Sequence, residues 1–362
     1  APLAGWLFAG ASAHDAIVTA IAVLIITCPC ALALAVPAVH VTAAGALFRS
    51  GVLLNGGHAI ERLAEADTIV FDKTGTLTLP EPRVANAHDF ADDIIERAAR
   101  LARSSRHPLA RALAQERPMG AAYDGGREEA GAGVTAVIDG VEARLGSAAF
   151  CGLDASATAQ ALDEGASAIC YRRGDETAVF HVRQTLRVDA VETVAALKAQ
   201  GYQIEIVSGD SAIATRAAAD ALGVSDCLGG AKPADKVARL EALKAQGRKP
   251  VMVGDGFNDA PALAAAHVSL SPVTAADVAQ ASADAVFLGE KLAPVARALE
   301  LSRLARKLMR ENLWIAVVYN AIAVPLAIAG HVTPLIAALA MSGSSLIVTV
   351  NALRAGAGAG RA

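Results

Sequence analysis

The chain lacks an excess of positive charge, a cysteine framework and internal repeats, and each absence narrows what it does. Its 32 Lys and Arg against 36 Asp and Glu leave a formal net charge of −4 without a broad basic patch, which argues against a nucleic-acid partner. Cys28, Cys30, Cys151, Cys170 and Cys227 are an odd set without framework spacing. No disulfide scaffold is therefore expected, and a reducing cytosolic face is the simpler reading. No tandem repeat or low-complexity linker is seen apart from the Ala/Gly-rich residues 355–362, which are expected to form a disordered tail. There is no initiator Met, and Pro2–Gly10 looks like the end of a cut apolar span rather than a signal peptide. A carboxyl-terminal piece of a longer protein is expected.

What is present is apolar: 54% of the 362 residues are hydrophobic, Ala dominates and aromatics are few, so several domains with membrane segments are expected. Crossing a bilayer takes roughly 20 apolar residues. Three segments qualify, from about Ile17 to Ala46, Leu313 to Ala329 and Val332 to Leu353. Gly330-His331 separates the last two, which reads as a tight hairpin. Arg49 follows the first span, Arg303, Arg306, Lys307 and Arg310 precede the hairpin, and Arg354 follows it. By the positive-inside rule all these ends face the cytosol, and so does the long polar stretch between.

That stretch begins with Asp72-Lys73-Thr74-Gly75-Thr76 directly behind the apolar run Thr68–Phe71. The run reads as a buried strand. Reactive groups of open α/β sheets collect at the carboxyl ends of parallel strands, so Asp72 is a candidate for covalent phosphorylation. Ile204–Val207 reads as a second strand and ends in Ser208-Gly209-Asp210; a helix pattern from Ser211 lets a phosphate rest on backbone amides. Val251–Val253 reads as a third and runs into Gly254-Asp255-Gly256-Phe257-Asn258-Asp259, whose carboxylates suit Mg²⁺, a hard cation that prefers oxygen. In the first span, Cys28-Pro29-Cys30 sets two sulfurs around a proline that removes a backbone bond, and Pro37 repeats the break. Broken helices at membrane depth are tolerated where they line a site, and thiolates select Cu(I), zinc and related soft metals. Two structural cysteines would look the same in isolation.

The Asp72 pentapeptide resembles the phosphorylation motif of P-type ATPases, and together with Cys-Pro-Cys it resembles their heavy-metal branch, type IB. The resemblance covers nearly the whole chain. It implies an α/β haloacid-dehalogenase-like phosphorylation domain, residues 61–80 and 184–292, with an inserted α+β nucleotide-binding domain, 81–183. Transmembrane helices would occupy 1–60 and 293–354, the latter with a cytosolic lead-in helix. It implies catalytic roles for Asp72, Lys73, Thr74, Gly75, Thr76 and Lys236, with Asp72, Asp255, Asp259 and the Thr74 carbonyl around Mg²⁺. His107-Pro108 and Gly131-Ala132-Gly133 match the surroundings of the ATP base, and Ser208, Gly209, Asp210 and Asn258 would complete the nucleotide contacts. Thr74 stands where phosphatases of this fold carry a second Asp, which implies a lasting aspartyl phosphate. Tyr319-Asn320 and Met341 with Ser345 look like the copper(I) group, and no carboxylate follows Leu313. Residues 26–37 and 332–335 further resemble the copper pumps that serve cytochrome oxidase assembly.

The implied function is ATP-driven copper(I) translocation out of the cytosol across the cell inner membrane, among lipid and with the ion delivered by a cytosolic copper chaperone. A zinc/cadmium pump or a phosphatase of the same fold are the alternatives. Two positions depart from the family: Arg106 stands where Glu usually precedes His-Pro, and Gln184 opens a motif, ending at Arg187, that usually begins with Asp. No actuator domain is matched, so the chain alone is expected not to complete a transport cycle.

Overall fold

The computed structural model describes residues 6, 12–79, 81–129, 132–163, 166–255, 259–275 and 277–357. They divide into two compact units: residues up to 66 with 284–288 and those from 294 onward, and residues 67–283 with 289–293.

In the first unit the leading apolar segment is not one kinked helix but three: α1 (Ala13–Ile26), α2 (Cys30–Ala35) and α3 (Pro37–Arg49). Ser12 caps α1 by accepting the Asp15 amide at 3.1 Å. Both breaks fall at prolines, which lack the N–H that continues a helix and settle at its start instead; Pro29 caps α2 and Pro37 occupies the first turn of α3. A short strand, β1 (Val52–Leu54), and helix α4 (Ala59–Glu65) follow.

The second unit opens with β2 (Thr68–Phe71), buried along its whole length. The chain then builds a six-stranded antiparallel sheet from β3 (Arg83–Val84), β4 (Arg127–Glu129), β5 (Gly133–Ile138), β6 (Val141–Gly146), β7 (Ser167–Arg173) and β8 (Glu176–Arg183), in the order β3-β8-β7-β6-β5-β4. Helices α5 (Asp92–Ala102) and α6 (Pro108–Gln115) lie between β3 and β4, and α7 (Ala159–Asp163) between β6 and β7. Ile95, Leu101 and Leu113 of α5 and α6 close a core with Val134, Leu145, Tyr171 and Phe180 of the sheet. The two chain segments that join this sheet to β2 run antiparallel, with Thr78 opposite Leu186 and the Leu79 amide donating to the Thr185 carbonyl at 2.8 Å.

Past that crossing the chain alternates: α8 (Ala190–Ala199), β9 (Gln203–Val207), α9 (Ala212–Ala221), β10 (Asp226–Leu228), α10 (Pro233–Ala245), β11 (Pro250–Val253), α11 (Ala260–Ala265), β12 (Val268–Pro272) and α12 (Asp277–Ser282). The strands pair in parallel in the order β12-β11-β2-β9-β10, with β2 at the centre. The apolar runs β2 and β11 are therefore the buried inner strands that continuous hydrophobicity predicts, while β9, beside β2, carries Glu205 paired with Arg239 in its middle. Their carboxyl ends carry Asp72, Ser208 and Asp255 to one edge.

The chain then returns to the first unit through β13 (Ala285–Phe287), which pairs antiparallel with β1, Val52 opposite Phe287. Two long helices follow, α13 (Ala293–Ile328) and α14 (Pro334–Ala357). With the α1–α3 segment they are three helical stretches long and apolar enough to cross a membrane. Two boundaries differ from the sequence expectation. Residues 61–66 and 284–288 go with the helices, because β1 pairs with β13 and Arg62 bonds Asp284. The expected tail from 355 is helical as far as Ala357: Ala355 is buried and Gly356 lies against Thr42 of α3, so packing extends α14 past Arg354. Residues 358–362 lie outside the described residues.

Candidate functional site

Asp72 follows β2 directly and is buried at 3% exposure. Its Oδ1 accepts the Lys236 ammonium at 2.5 Å, and the same Nζ reaches Asp259 Oδ1 at 2.6 Å. Lys236 comes from the first turn of α10, at a sequence separation of 164 from its partner. Asp255 follows β11, and one oxygen from each of Asp72, Asp255 and Asp259 lies within 4.8 Å of the others.

Three carboxylates around one ammonium are electrostatically incomplete. Burial first, then the neighbouring Asp259, pushes the Asp72 carboxyl up to about 7 against the pull of Lys236. Burial followed by Asp259 likewise raises Asp255 to about 6. Burial disfavours the charge on Lys236, but Asp72 and Asp259 outweigh it and hold that pKa above its ordinary value. A divalent cation among these oxygens would relieve the crowding. The donor set fits Mg²⁺: all oxygen, converging, and accompanied by a buried Thr76 hydroxyl that has no partner among the described residues.

The loop from Lys73 to Leu77 turns sharply, with Thr74 extended and Gly75 at φ +69°. A side chain at 75 would occupy the space of the Asp255 carboxylate, so glycine here serves both the turn and the close approach. Lys73 pairs with Asp210, which follows β9, and the Thr74 hydroxyl lies 3.2 Å from Asp210 Oδ2 and 3.3 Å from Gln184 Oε1. Ser208 is fully buried, its hydroxyl accepting the Asp210 amide at 3.1 Å, and Gly209 continues the same turn. Gln184 thus holds the loop through its amide oxygen, which also lies 3.4 Å from the Thr78 hydroxyl.

Arg187 is the residue that sequence reasoning named without a task. Buried at 2% exposure, it donates to the carbonyls of Thr76 at 2.6 Å, Gly75 at 2.9 Å and Gly289 at 3.1 Å. It clamps the turn that follows Asp72. Its position three residues after Gln184 was the available signal, but nothing local shows which carbonyls it meets.

In the antiparallel sheet, a cavity of ≈ 270 Å³ is lined by Ser105, His107, Glu128, Gly133, Gly146 and Ile169, among others. His107 caps α6, its Nδ1 accepting the Leu109 amide at 3.3 Å, and Pro108 occupies the first turn. Gly133 does more for the sheet than a ligand approach would require: a side chain there would strike the Leu145 carbonyl and the Phe150 ring. Glu128, which accepts the Ser105 hydroxyl at 2.5 Å, puts a carboxylate on the cavity wall although Arg106 has replaced the expected acid. Gly131 and Asn258 lie outside the described residues.

In the helical unit, Cys28 and Cys30 flank the break between α1 and α2 with Cα atoms 5.5 Å apart, and their sulfurs are joined as a disulfide. The sequence expectation of two thiols facing an ion concerns this same pair of sulfurs. The break at Pro29 turns both side chains to one side, within the separation a disulfide spans, and the expected thiol pair is its reduced form. Cys30 Sγ lies 4.0 Å from Met341 Sδ on α14. Asn320 donates to the Ala316 carbonyl of its own helix at 3.0 Å, and the Ser345 carbonyl accepts the Thr349 hydroxyl at 2.9 Å. The Tyr319 hydroxyl is buried without a partner among the described residues. Sequence reasoning missed Asn312: fully buried, it donates to the carbonyls of Ala35 at 3.1 Å and Val348 at 3.2 Å and accepts from Asn351 at 2.9 Å, tying α2, α13 and α14 together.

Comparison with known proteins follows this division. Residues 66–267 match the haloacid dehalogenase-like hydrolase family. Nitrogen fixation protein FixI of Bradyrhizobium diazoefficiens is 58% identical over 97% of this chain and 48% of that protein. A probable copper-exporting P-type ATPase V of Mycobacterium tuberculosis is 36% identical over 98% of the chain and 48% of its own length. The chain therefore spans about half the length of the curated relatives it matches. A crystal structure of a zinc-transporting PIB-type ATPase superposes with a TM-score of 0.82 at 32% identity, covering 97% of this chain and 60% of that one. With the Asp72 loop, the parallel sheet and the three apolar helical stretches in place, the chain is similar over nearly its whole length to metal-transporting P-type ATPases, and it belongs to the haloacid dehalogenase-like hydrolases.

Proposed function

We propose that this chain carries the phosphorylation site, the nucleotide site and part of the ion path of a copper(I)-exporting ATPase. The observation that carries the catalytic half is Asp72 at the end of β2, held by Lys236 with Asp255 and Asp259 alongside. A carboxylate oxygen of Asp72 attacks the γ-phosphorus of ATP, the new P–O bond forms as the bond to the bridging oxygen breaks, and ADP leaves. Lys236 holds the nucleophile in place and offsets charge on the transferring group. Mg²⁺, bound by Asp72, Asp255 and the Thr74 carbonyl with Asp259 in support, would supply charge neutralisation between phosphate and protein. Nucleotide is bound in the cavity beside His107 and Gly133. No acid stands at Thr74 to activate water, so the aspartyl phosphate persists long enough to drive a conformational change. A phosphatase of the same fold would need that acid.

For the cargo, the supporting observation is the contact between Cys30 and Met341, a thiol position against a thioether with no carboxylate on α13 or α14 beyond Glu311. Soft sulfur and neutral oxygen donors suit a monovalent soft ion, whereas a divalent one would lack compensating charge. Copper leaves the cytosol across the inner membrane, delivered by a cytosolic chaperone, and oxidase assembly is the use we favour. The zinc reading is kept by the likeness to the zinc-transporting structure. The test is metal-stimulated ATP hydrolysis by the whole protein with Cu(I), Ag(I), Zn(II) and Cd(II), with Cys28→Ser and Cys30→Ser as controls. Stimulation by the monovalent ions that both substitutions abolish is expected; stimulation by Zn(II) alone overturns the copper assignment.

A further inference from the structure

Away from the phosphorylation loop and the sulfur pair, the helical unit contains a basic recess of ≈ 850 Å³. Arg303, Arg306, Lys307 and Arg310 of α13 line it, with Trp314 further along the same helix and Ala64 of α4 on the opposite wall. Spacings of three and four residues put these cations and the indole on one face of α13. For Arg306, Lys307 and Arg310, acidic compensation is thin. Arg306 reaches Glu65 only at 3.4 Å, and Lys307 stands 4.0 Å from Glu311, a carboxylate already bonded to Arg354 at 2.9 Å. Arg310 has no ion-pair partner among the described residues.

The recess also sits where α13 changes character. Its last charged residue is Glu311, and from Leu313 to Ile328 the helix is uncharged and mostly apolar. Trp314 is 65% exposed at that boundary, the position where indole rings sit at the headgroup level of a membrane. A soluble phosphate would use the guanidinium groups and leave the indole idle, whereas an amphiphile with an anionic head uses both. We propose that this recess binds the headgroup of an anionic phospholipid from the cytosolic leaflet, with the phosphodiester on Arg306 and Arg310 and the upper acyl chain along Trp314. The assignment rests on the reading of α13 as a membrane-crossing helix. Basic pockets on the cytosolic side of transmembrane helices recognise anionic headgroups by this chemistry.

The test places this chain in phosphatidylcholine nanodiscs containing phosphatidylglycerol and counts the lipids retained on extraction by native mass spectrometry. Each cation near an anionic surface is worth about fivefold in partitioning, so with Arg306 and Arg310 the wild type should retain phosphatidylglycerol over phosphatidylcholine by about 25-fold or more. Arg306→Gln with Arg310→Gln should cut that preference by about 25-fold, while Arg306→Lys with Arg310→Lys should keep most of it. Equal retention of both lipids by the wild type, or an unchanged preference in the glutamine variant, would overturn the site. Stripping of the lipid by millimolar glycerol phosphate would overturn the lipid as ligand in favour of free phosphate. Failure of the chain to enter the nanodisc would instead overturn the membrane reading beneath it.

Discussion

Gly75→Ala is the substitution for which the structure makes the sharpest forecast. Gly75 holds φ +69°, and a Cβ built there overlaps the Asp255 carboxylate outright, with the farther oxygen still at 3.0 Å. An alanine at positive φ costs about 1–2 kcal/mol, partly offset by about 0.4–1 kcal/mol from a less flexible unfolded chain. The loop has little freedom to relax, because Arg187 holds the carbonyl of Gly75 itself and that of the next residue, Thr76. Asp255 therefore gives way, and reaching van der Waals distance takes roughly 2 Å, about one full Mg²⁺–oxygen bond length. Misplacement on that scale costs at least about a hundredfold in rate. Net destabilisation of about 1 kcal/mol should lower the melting temperature by only about 2–4 °C. The assay is phosphoenzyme formed from γ-labelled ATP in membranes containing the whole protein, quenched in acid and released by hydroxylamine, beside binding of a fluorescent ATP analogue. Labelling should fall at least about a hundredfold while nucleotide binding is unchanged. A variant that melts normally and labels within about tenfold of wild type would refute the claim that Gly75 makes room for Asp255.

Two further outcomes are expected. Asn312→Ala removes donors to two buried carbonyls, Ala35 and Val348, and should destabilise the helical unit by about 1–3 kcal/mol; an unchanged melting temperature in detergent would count against the clamp. Burial, then the neighbouring Cys170, pushes the Cys151 thiol from 9.0 up to about 12, so native protein at pH 8 should alkylate there roughly a thousandfold more slowly than unfolded protein. The sign of the linkage follows: with the folded pKa raised, stability from this group is full below about pH 9 and lost as pH rises toward 12, and Cys151→Ala should flatten that alkaline decline in denaturant titrations.

Much of the candidate phosphorylation site, as proposed above, was legible from residue order. Apolar runs of strand length that end in Asp72, Ser208 and Asp255 can be read locally, because a buried parallel strand is hydrophobic on both faces and its loop must then be polar. The cavity proposed for nucleotide was less legible. Gly133 carries the close approach of β5 and β6 as well as a cavity wall, and Glu128 was indistinguishable from any exposed strand residue until Ser105 was seen beside it. Gln184 looked like the loss of a charge; in the fold its amide oxygen holds Thr74 and Thr78.

By itself, the order of residues determined which segments are apolar enough to span a membrane, where prolines interrupt a helix, and which acids follow buried strands. These depend on period and on backbone chemistry within a few residues. Only the tertiary structure decided that Lys236 meets Asp72, that Arg187 closes on the Gly75 and Thr76 carbonyls, and that Met341 lies against Cys30. Those pairs are separated by 164, 112, 111 and 311 positions, so no local periodicity encodes them. They exist because the parallel sheet gathers loops at one edge and because helix packing brings distant side chains into a single buried place.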